Sequence, residues 1–165
     1  MSSSLQVMFN SSDCATVTSM LHNALISEDS TFDKVLVIVG GGGNGKTFLM
    51  NALEEAFSSK VARGFEHKFI QDSTASNRLV WVECKGETPS GELAHIVKDA
   101  LASYPKTLFV LLCNKLPFNP QDAALFRRLQ VVVCNDRVLF SDSIVEALQG
   151  SDINKSIEDI KAFTL

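Results

Sequence analysis

Residues Gly40-Gly41-Gly42-Gly43-Asn44-Gly45-Lys46-Thr47 match the pattern G-x-x-x-x-G-K-[ST] in full. The chemistry of such a segment is anion binding. Glycines let the backbone bend tightly and aim successive N–H groups at phosphate oxygens, and a helix begun near Gly45 adds the positive end of its dipole. In this pattern Lys46 sets an ammonium on the β- and γ-phosphates, and the Thr47 hydroxyl takes one position on an octahedral Mg²⁺. ATP and Mg²⁺ are therefore the expected ligands. Gly40, Gly41, Gly42, Gly43, Asn44, Gly45, Lys46, Thr47 and Phe48 form the expected nucleotide-binding stretch. The competing explanation is a turn that only links a strand to a helix, which needs neither the Lys-Thr pair nor five glycines.

Four more residues could complete a phosphoryl-transfer site. Glu83 closes the apolar run Leu79–Val82, where a carboxylate can polarise the attacking water or hold the Mg²⁺ shell; the alternative is an ordinary solvated acid. Cys84 and Lys85 follow it, so both duties fall on one carboxylate. Asn114 closes the run Thr107–Cys113. Its neutral amide can hydrogen-bond a γ-phosphate and a water together, although Asn before Lys-Leu-Pro also suits a turn. Arg127 and Arg128 precede the last apolar run, and a guanidinium supplied across a subunit boundary stabilises transition-state charge; the alternative is two solvated arginines on a helix face. The expected catalytic set is thus Lys46, Glu83, Asn114, Arg127 and Arg128, with Thr47 and Glu83 at the metal.

Positioning these residues requires strands that end where they stand. The apolar run Val35–Val39 leads directly into the glycine loop, and a helical pattern runs from Thr47 to about Ser58. A weak strand signal covers Phe65–Gln71 and a strong one Leu79–Glu83. A helix follows over Glu92–Ser103, then a strand over Thr107–Cys113. After Pro117 and Pro120 come a short helix over Gln121–Leu129 and a last strand over Val131–Cys134. Upstream, residues 14–27 carry Val17, Met20, Leu21, Ala24 and Leu25 at helical spacing, with Asp13 placed as N-cap. Downstream, two helical stretches cover Ser141–Gln149 and Ile153–Phe163.

Strands apolar on both faces and alternating with helices predict an α/β fold of the P-loop NTPase (AAA+-like) class, a mostly parallel five-stranded sheet flanked by helices. The expected organisation is an N-terminal helical segment over 1–30, a P-loop ATPase core over 31–136 and C-terminal helices over 137–165. In such a sheet ligands bind at the strands' carboxyl ends, where Gly40, Glu83 and Asn114 each fall.

The 165 residues suit one domain, and 45% apolar with 21% charged residues is ordinary for a globular chain. A net charge of −4 without long basic runs argues against a strong nucleic-acid footprint on the monomer, while a channel between subunits stays open. Cys14, Cys84, Cys113 and Cys134 lack C-x-x-C spacing, which favours buried free thiols in a reducing compartment over zinc or disulfides. With no secretory signal and no run of about 18 apolar residues, an intracellular chain with no membrane segment is expected.

Taken in order, Gly43-Asn44-Gly45-Lys46-Thr47, Val82-Glu83, Cys113-Asn114-Lys115-Leu116-Pro117 and Phe126-Arg127-Arg128-Leu129 resemble the superfamily 3 helicases. The likeness is greatest to the ATPase domain of the primase-helicases of poxviruses and other large DNA viruses, and of related phage and plasmid replication proteins. It covers residues 34 to 134 or so. The resemblance implies an AAA+-like ATPase that assembles into a homo-oligomeric, hexameric ring around DNA in viral replication, in the cytoplasm or nucleus of an infected cell. It assigns Lys46 and Thr47 to phosphate and Mg²⁺, Glu83 to the second motif, Asn114 to the polar sensor, and Arg127 or Arg128 to the finger. One departure stands out: the family's DNA-gripping hairpin lies between the second acid and the sensor strand, where only about two dozen residues intervene here. No primase half accompanies the sequence, so a shortened relative is expected, with single-stranded DNA or RNA as candidate ligand. The alternatives are a P-loop ATPase acting on protein or RNA without helicase activity, and a non-enzymatic nucleotide-binding module.

Overall fold

In the computed structural model of the chain, residues 3–27, 29–41, 45–71, 76–135 and 152–163 are described. The described elements are α1 (Ser4–Met8), α2 (Ser11–Leu25), β1 (Val35–Val39), α3 (Lys46–Ala56), β2 (Val61–Arg63) and β3 (Leu79–Cys84), followed by α4 (Ser90–Ser103), β4 (Leu108–Cys113), α5 (Ala123–Phe126), β5 (Leu129–Val133) and α6 (Ile153–Ala162). The five strands form one sheet in the order β2-β3-β4-β1-β5, and every pairing is parallel. This is the predicted α/β P-loop-type architecture, with the loop strand β1 at an inner position and the acid strand β3 separated from it by β4.

Period-two alternation sorts the strand residues onto two faces. Leu36 and Ile38 of β1, Leu79 and Trp81 of β3, and Val110 and Leu112 of β4 join a core with α1, α2, α3 and α6. Val35, Val37, Val80, Val82, Phe109 and Leu111 join a second core with Leu93, Val97 and Leu101 of α4 and Leu125 of α5. Both faces of the inner strands are thus buried, which is why these strands read as continuous apolar runs. Segments from the two ends of the chain share the first face: the Ser156 hydroxyl of α6 accepts from the Leu5 amide at 3.1 Å.

Arg78, just before β3, ties the sheet's amino end to α2. Its guanidinium donates to the carbonyls of Asn23 and Ser27 at 3.0 Å, of Ala24 at 3.1 Å, and of Lys106. A cation on the last carbonyls of a helix satisfies acceptors that have no partner within the helix and complements its dipole.

Several boundaries differ from those expected. Phe65–Gln71 is not a strand: Phe65 and Lys68 pair across a tight turn, and the edge strand is instead the short β2 just upstream. Gly64 explains the close fold-back, since a Cβ there would stand 2.4 Å from the Phe69 carbonyl oxygen. The α2 N-cap is Asn10, which accepts from the Asp13 amide at 2.8 Å; Asp13 lies in the first turn and its carboxylate accepts from Val133 N on the sheet edge at 3.4 Å. The helix expected over Gln121–Leu129 is a single turn, α5, capped by Asp122, and β5 begins at Leu129. The expected helix over Ser141–Gln149 lies outside the described residues.

Candidate nucleotide site

The glycine loop leaves β1 at the sheet's carboxyl end, where the Gly40 amide donates to the Cys113 carbonyl at 2.9 Å. Gly42, Gly43 and Asn44 lie outside the described residues. Gly45 precedes α3 with φ 84°, a left-handed conformation that side chains rarely adopt, and no side chain caps this helix of 11 residues. The first amides of α3 therefore face the loop without a side-chain acceptor, as an anion site requires.

Lys46, the first residue of α3, is 8% exposed. Its Nζ donates to the carbonyls of Gly40 at 2.7 Å and Gly41 at 3.2 Å, so the ammonium lies against the loop it would serve. Thr47 and Phe48 are exposed beside it.

Glu83 shares its strand face with Leu79 and Trp81, the face that α3 covers, and this parity brings it to Thr47. The Thr47 hydroxyl donates to Glu83 Oε1 at 3.0 Å, closing the gap that β4 leaves between loop strand and acid strand. The other oxygen, Oε2, accepts from Arg63 at 3.2 Å and lies 3.7 Å from the Lys85 ammonium. Arg63 is oriented in turn: its guanidinium stacks 4.9 Å from the Trp81 ring centre, and the Trp81 indole donates to Glu54 of α3 at 2.7 Å. Arg63 and Lys85 are site residues that the motifs did not reveal. Lys85 was legible as the next same-face position after Glu83, whereas Arg63 was not, because it depends on where β2 falls.

Asn114 follows β4 and is exposed, lining a cavity with Cys84, Lys85, Gly86, Thr88 and Lys115. Loop, acid and amide thus converge on one end of the sheet. Arg127 and Arg128 do not join them: the Arg128 carbonyl accepts from the Val35 amide at 2.8 Å, at the start of β1. The length of β1, about 16 Å at 3.3 Å per residue, separates them from the glycine loop of their own chain. Both side chains are exposed.

The thiols near the site are poor nucleophiles. A hydrogen bond with the neighbouring Cys113 thiol, and then burial, push Cys84 far above the ordinary thiol range, and burial pushes Cys134 up to about 11.

The residues present fit a Mg²⁺–nucleoside triphosphate. An uncapped helix start and a buried ammonium suit phosphate, and one hydroxyl beside one carboxylate suits a cation that takes its other ligands from phosphate and water. Among the described residues no cluster of three or more His, Cys, Asp or Glu could hold a metal on protein ligands alone.

Sheet order, glycine loop and uncapped helix define a P-loop-type α/β fold. No protein-family model matches the chain, and no curated protein matches it significantly. Similar solved structures include apo forms of the C-terminal region of NrS-1. One aligns with a TM-score of 0.66 at 13% identity, over 98% of this chain and 44% of that one. A second, of residues 305–718, gives 0.60 at 14%, over 98% and 45%. A third gives 0.51 at 16%, over 93% and 45%. At these identities the likeness is one of fold, and the chain spans a little under half of those regions. Among the described residues no helix is long and apolar enough to cross a membrane.

Proposed function

We propose that the chain binds and hydrolyses ATP with Mg²⁺ as a P-loop ATPase of the superfamily 3 helicase type, acting as a homo-oligomer in viral DNA replication. The observation that carries this reading is the 3.0 Å contact between Thr47 and Glu83 beside a Lys46 already seated against the glycine loop. In this reading the α3 amides and Lys46 hold the β- and γ-phosphates, and Thr47 with Glu83 would hold Mg²⁺, which supplies charge neutralisation on the phosphate oxygens. Glu83 accepts the proton of the attacking water. Asn114, one strand away, orients that water and the γ-phosphate through its amide. Arg127 or Arg128 serves a neighbouring subunit, since neither can reach the loop of its own chain. The alternative, a P-loop ATPase acting on protein or RNA without strand separation, shares the same site.

The test is Mg²⁺-dependent phosphate release by wild type and Lys46→Ala. Turnover should be abolished and nucleotide affinity weakened in the variant, with the circular dichroism spectrum unchanged. Tight ATP binding by wild type without turnover, alone or with nucleic acid, would leave only a nucleotide-binding module.

A further inference from the structure

A second cavity, of about 400 Å³, opens beyond Glu83 between the turn after β2 and the loop after β3. Its lining includes Arg63, Phe65, Glu66, His67, Glu83 and Lys85. Glu66 is the unusual member. It is 7% exposed; Oε2 accepts from the Glu87 amide at 3.3 Å, while Oε1 is buried with no hydrogen-bond partner among the described residues. A buried acceptor without a partner is costly, and a carboxylate oxygen is satisfied by an N–H or O–H donor or by a cation; among the described residues no cluster of three or more His, Cys, Asp or Glu could hold a metal, which favours a donor. The surroundings narrow the class of donor. Phe65, 49% exposed, stands 5.9 Å from the His67 ring and presents an aromatic face at the rim. Both side chains are exposed and can swing aside without loss of core contacts. Arg63 and Lys85 supply positive charge on the Glu83 side, and Lys68 is exposed at the end of the same turn.

We propose that this cavity is a base-binding subsite for single-stranded nucleic acid, in which Glu66 accepts from the exocyclic amine of a base, Phe65 stacks on it, and Arg63 and Lys85 attract the backbone phosphate. Deepening the reading above, the subsite places the polymer next to Glu83 through two cations that already touch it. Cytosine and adenine present an amine donor, whereas thymine presents a carbonyl at the corresponding position that repels a carboxylate. Stacking on an aromatic ring tolerates every base, so the preference must come from Glu66.

The experiment is fluorescence anisotropy of labelled oligo(dC), oligo(dA) and oligo(dT) of one length, with the 165-residue chain and without ATP or Mg²⁺. Expected are tighter binding of oligo(dC) and oligo(dA) than of oligo(dT), loss of that preference in Glu66→Gln, and about tenfold weaker binding of all three in Phe65→Ala. Phe65 is exposed, so its variant decides the matter if Glu66→Gln fails to fold. Equal affinity for the three oligonucleotides, or unchanged binding in Phe65→Ala, would overturn the proposal. So would dCMP and dAMP binding as tightly as the polymers, which would make the site one for free nucleotides. A Glu66→Gln effect confined to oligomeric mass would equally overturn it, assigning the cavity to a protein cation. Turnover measured on the same samples separates the two readings: ATP hydrolysis without base preference sinks the subsite alone, and base preference without hydrolysis sinks the ATPase alone.

Discussion

Glu83→Gln separates a chemical role for this carboxylate from a structural one. The amide is nearly isosteric, so its oxygen can still accept from Thr47, as Oε1 does at 3.0 Å. What is lost lies on the other oxygen, where an NH₂ group would face the Arg63 guanidinium now 3.2 Å away. The side chains of that pair are 50% and 21% exposed, and ion pairs so wetted contribute about 0–1 kcal/mol. A structural role therefore predicts a loss of stability no larger than that, a shift of a few degrees in melting temperature, and little change in rate. A general base contributes about 10²- to 10⁴-fold, equivalent to about 3–5 kcal/mol of barrier. The two roles thus differ by several kcal/mol in what they predict for turnover. The assay is steady-state phosphate release with Mg²⁺-ATP, alongside binding of a fluorescent ATP analogue and a thermal melt. Expected are retained binding, a melt within a few degrees of wild type, and turnover down at least about a hundredfold. Turnover within a factor of two of wild type would remove Glu83 from the chemistry, and Asp72, outside the described residues, would be the next carboxylate to examine.

Gly64→Ala should destabilise the fold by about 1–3 kcal/mol, because its Cβ would meet the Phe69 carbonyl at 2.4 Å and Val80 Cγ1 at 2.9 Å. An unchanged denaturant midpoint would show that the turn relaxes freely. Cys134, raised by burial from 9.0 to about 11, favours the protonated thiol in the folded state, so its contribution is complete below pH 9 and is lost as pH rises from 9 through 11. Stability against denaturant should fall less steeply across that window in Cys134→Ala than in wild type; identical slopes would refute the assignment. Mixing an Arg127→Ala/Arg128→Ala chain with a Lys46→Ala chain, each inactive alone, should restore part of the turnover, because one supplies the intact loop and the other the intact arginines. No recovery in verified mixed oligomers would mean that the arginines do not act on a neighbour.

The parts of this fold that were legible in the sequence are those whose residues carry their own constraint. β1, β3 and β4 are buried on both faces and read as unbroken apolar runs, and the glycine loop announces itself because its pattern excludes most other structures. β2 was illegible for the opposite reason. Three residues at a sheet edge carry almost no pattern, whereas Phe69 and Ile70 just after it are apolar because they pack the return of a turn, and Phe65 adds to that apolar signal while remaining exposed. That displacement hid Arg63, and with it the ion pair on Glu83. Helix patterning points to Asp13 as the cap because it sets a boundary only to within a turn, and Asn10 three residues earlier has the same chemistry. Glu66 was invisible altogether, since a buried acid within a polar stretch differs from a solvated one only through its neighbours.

The separation between loop and arginines has a consequence for assembly. A parallel sheet has two unlike ends, and here the glycine loop, Glu83 and Asn114 occupy one while Arg127 and Arg128 occupy the other. A neighbour delivering a guanidinium to the loop must therefore bring the amino end of its sheet to the carboxyl end of the first. Two subunits packed side by side and antiparallel would satisfy this reciprocally, as a closed pair with two completed sites. A head-to-tail series would satisfy it once per interface, and closes only if the rotation between subunits divides a full turn. Both arrangements restore activity on mixing, so complementation identifies the arginine donor without identifying the assembly. Particle mass in the presence of a slowly hydrolysed ATP analogue distinguishes them: twice the chain mass denotes the antiparallel pair, and a higher discrete multiple the ring that the superfamily 3 reading requires.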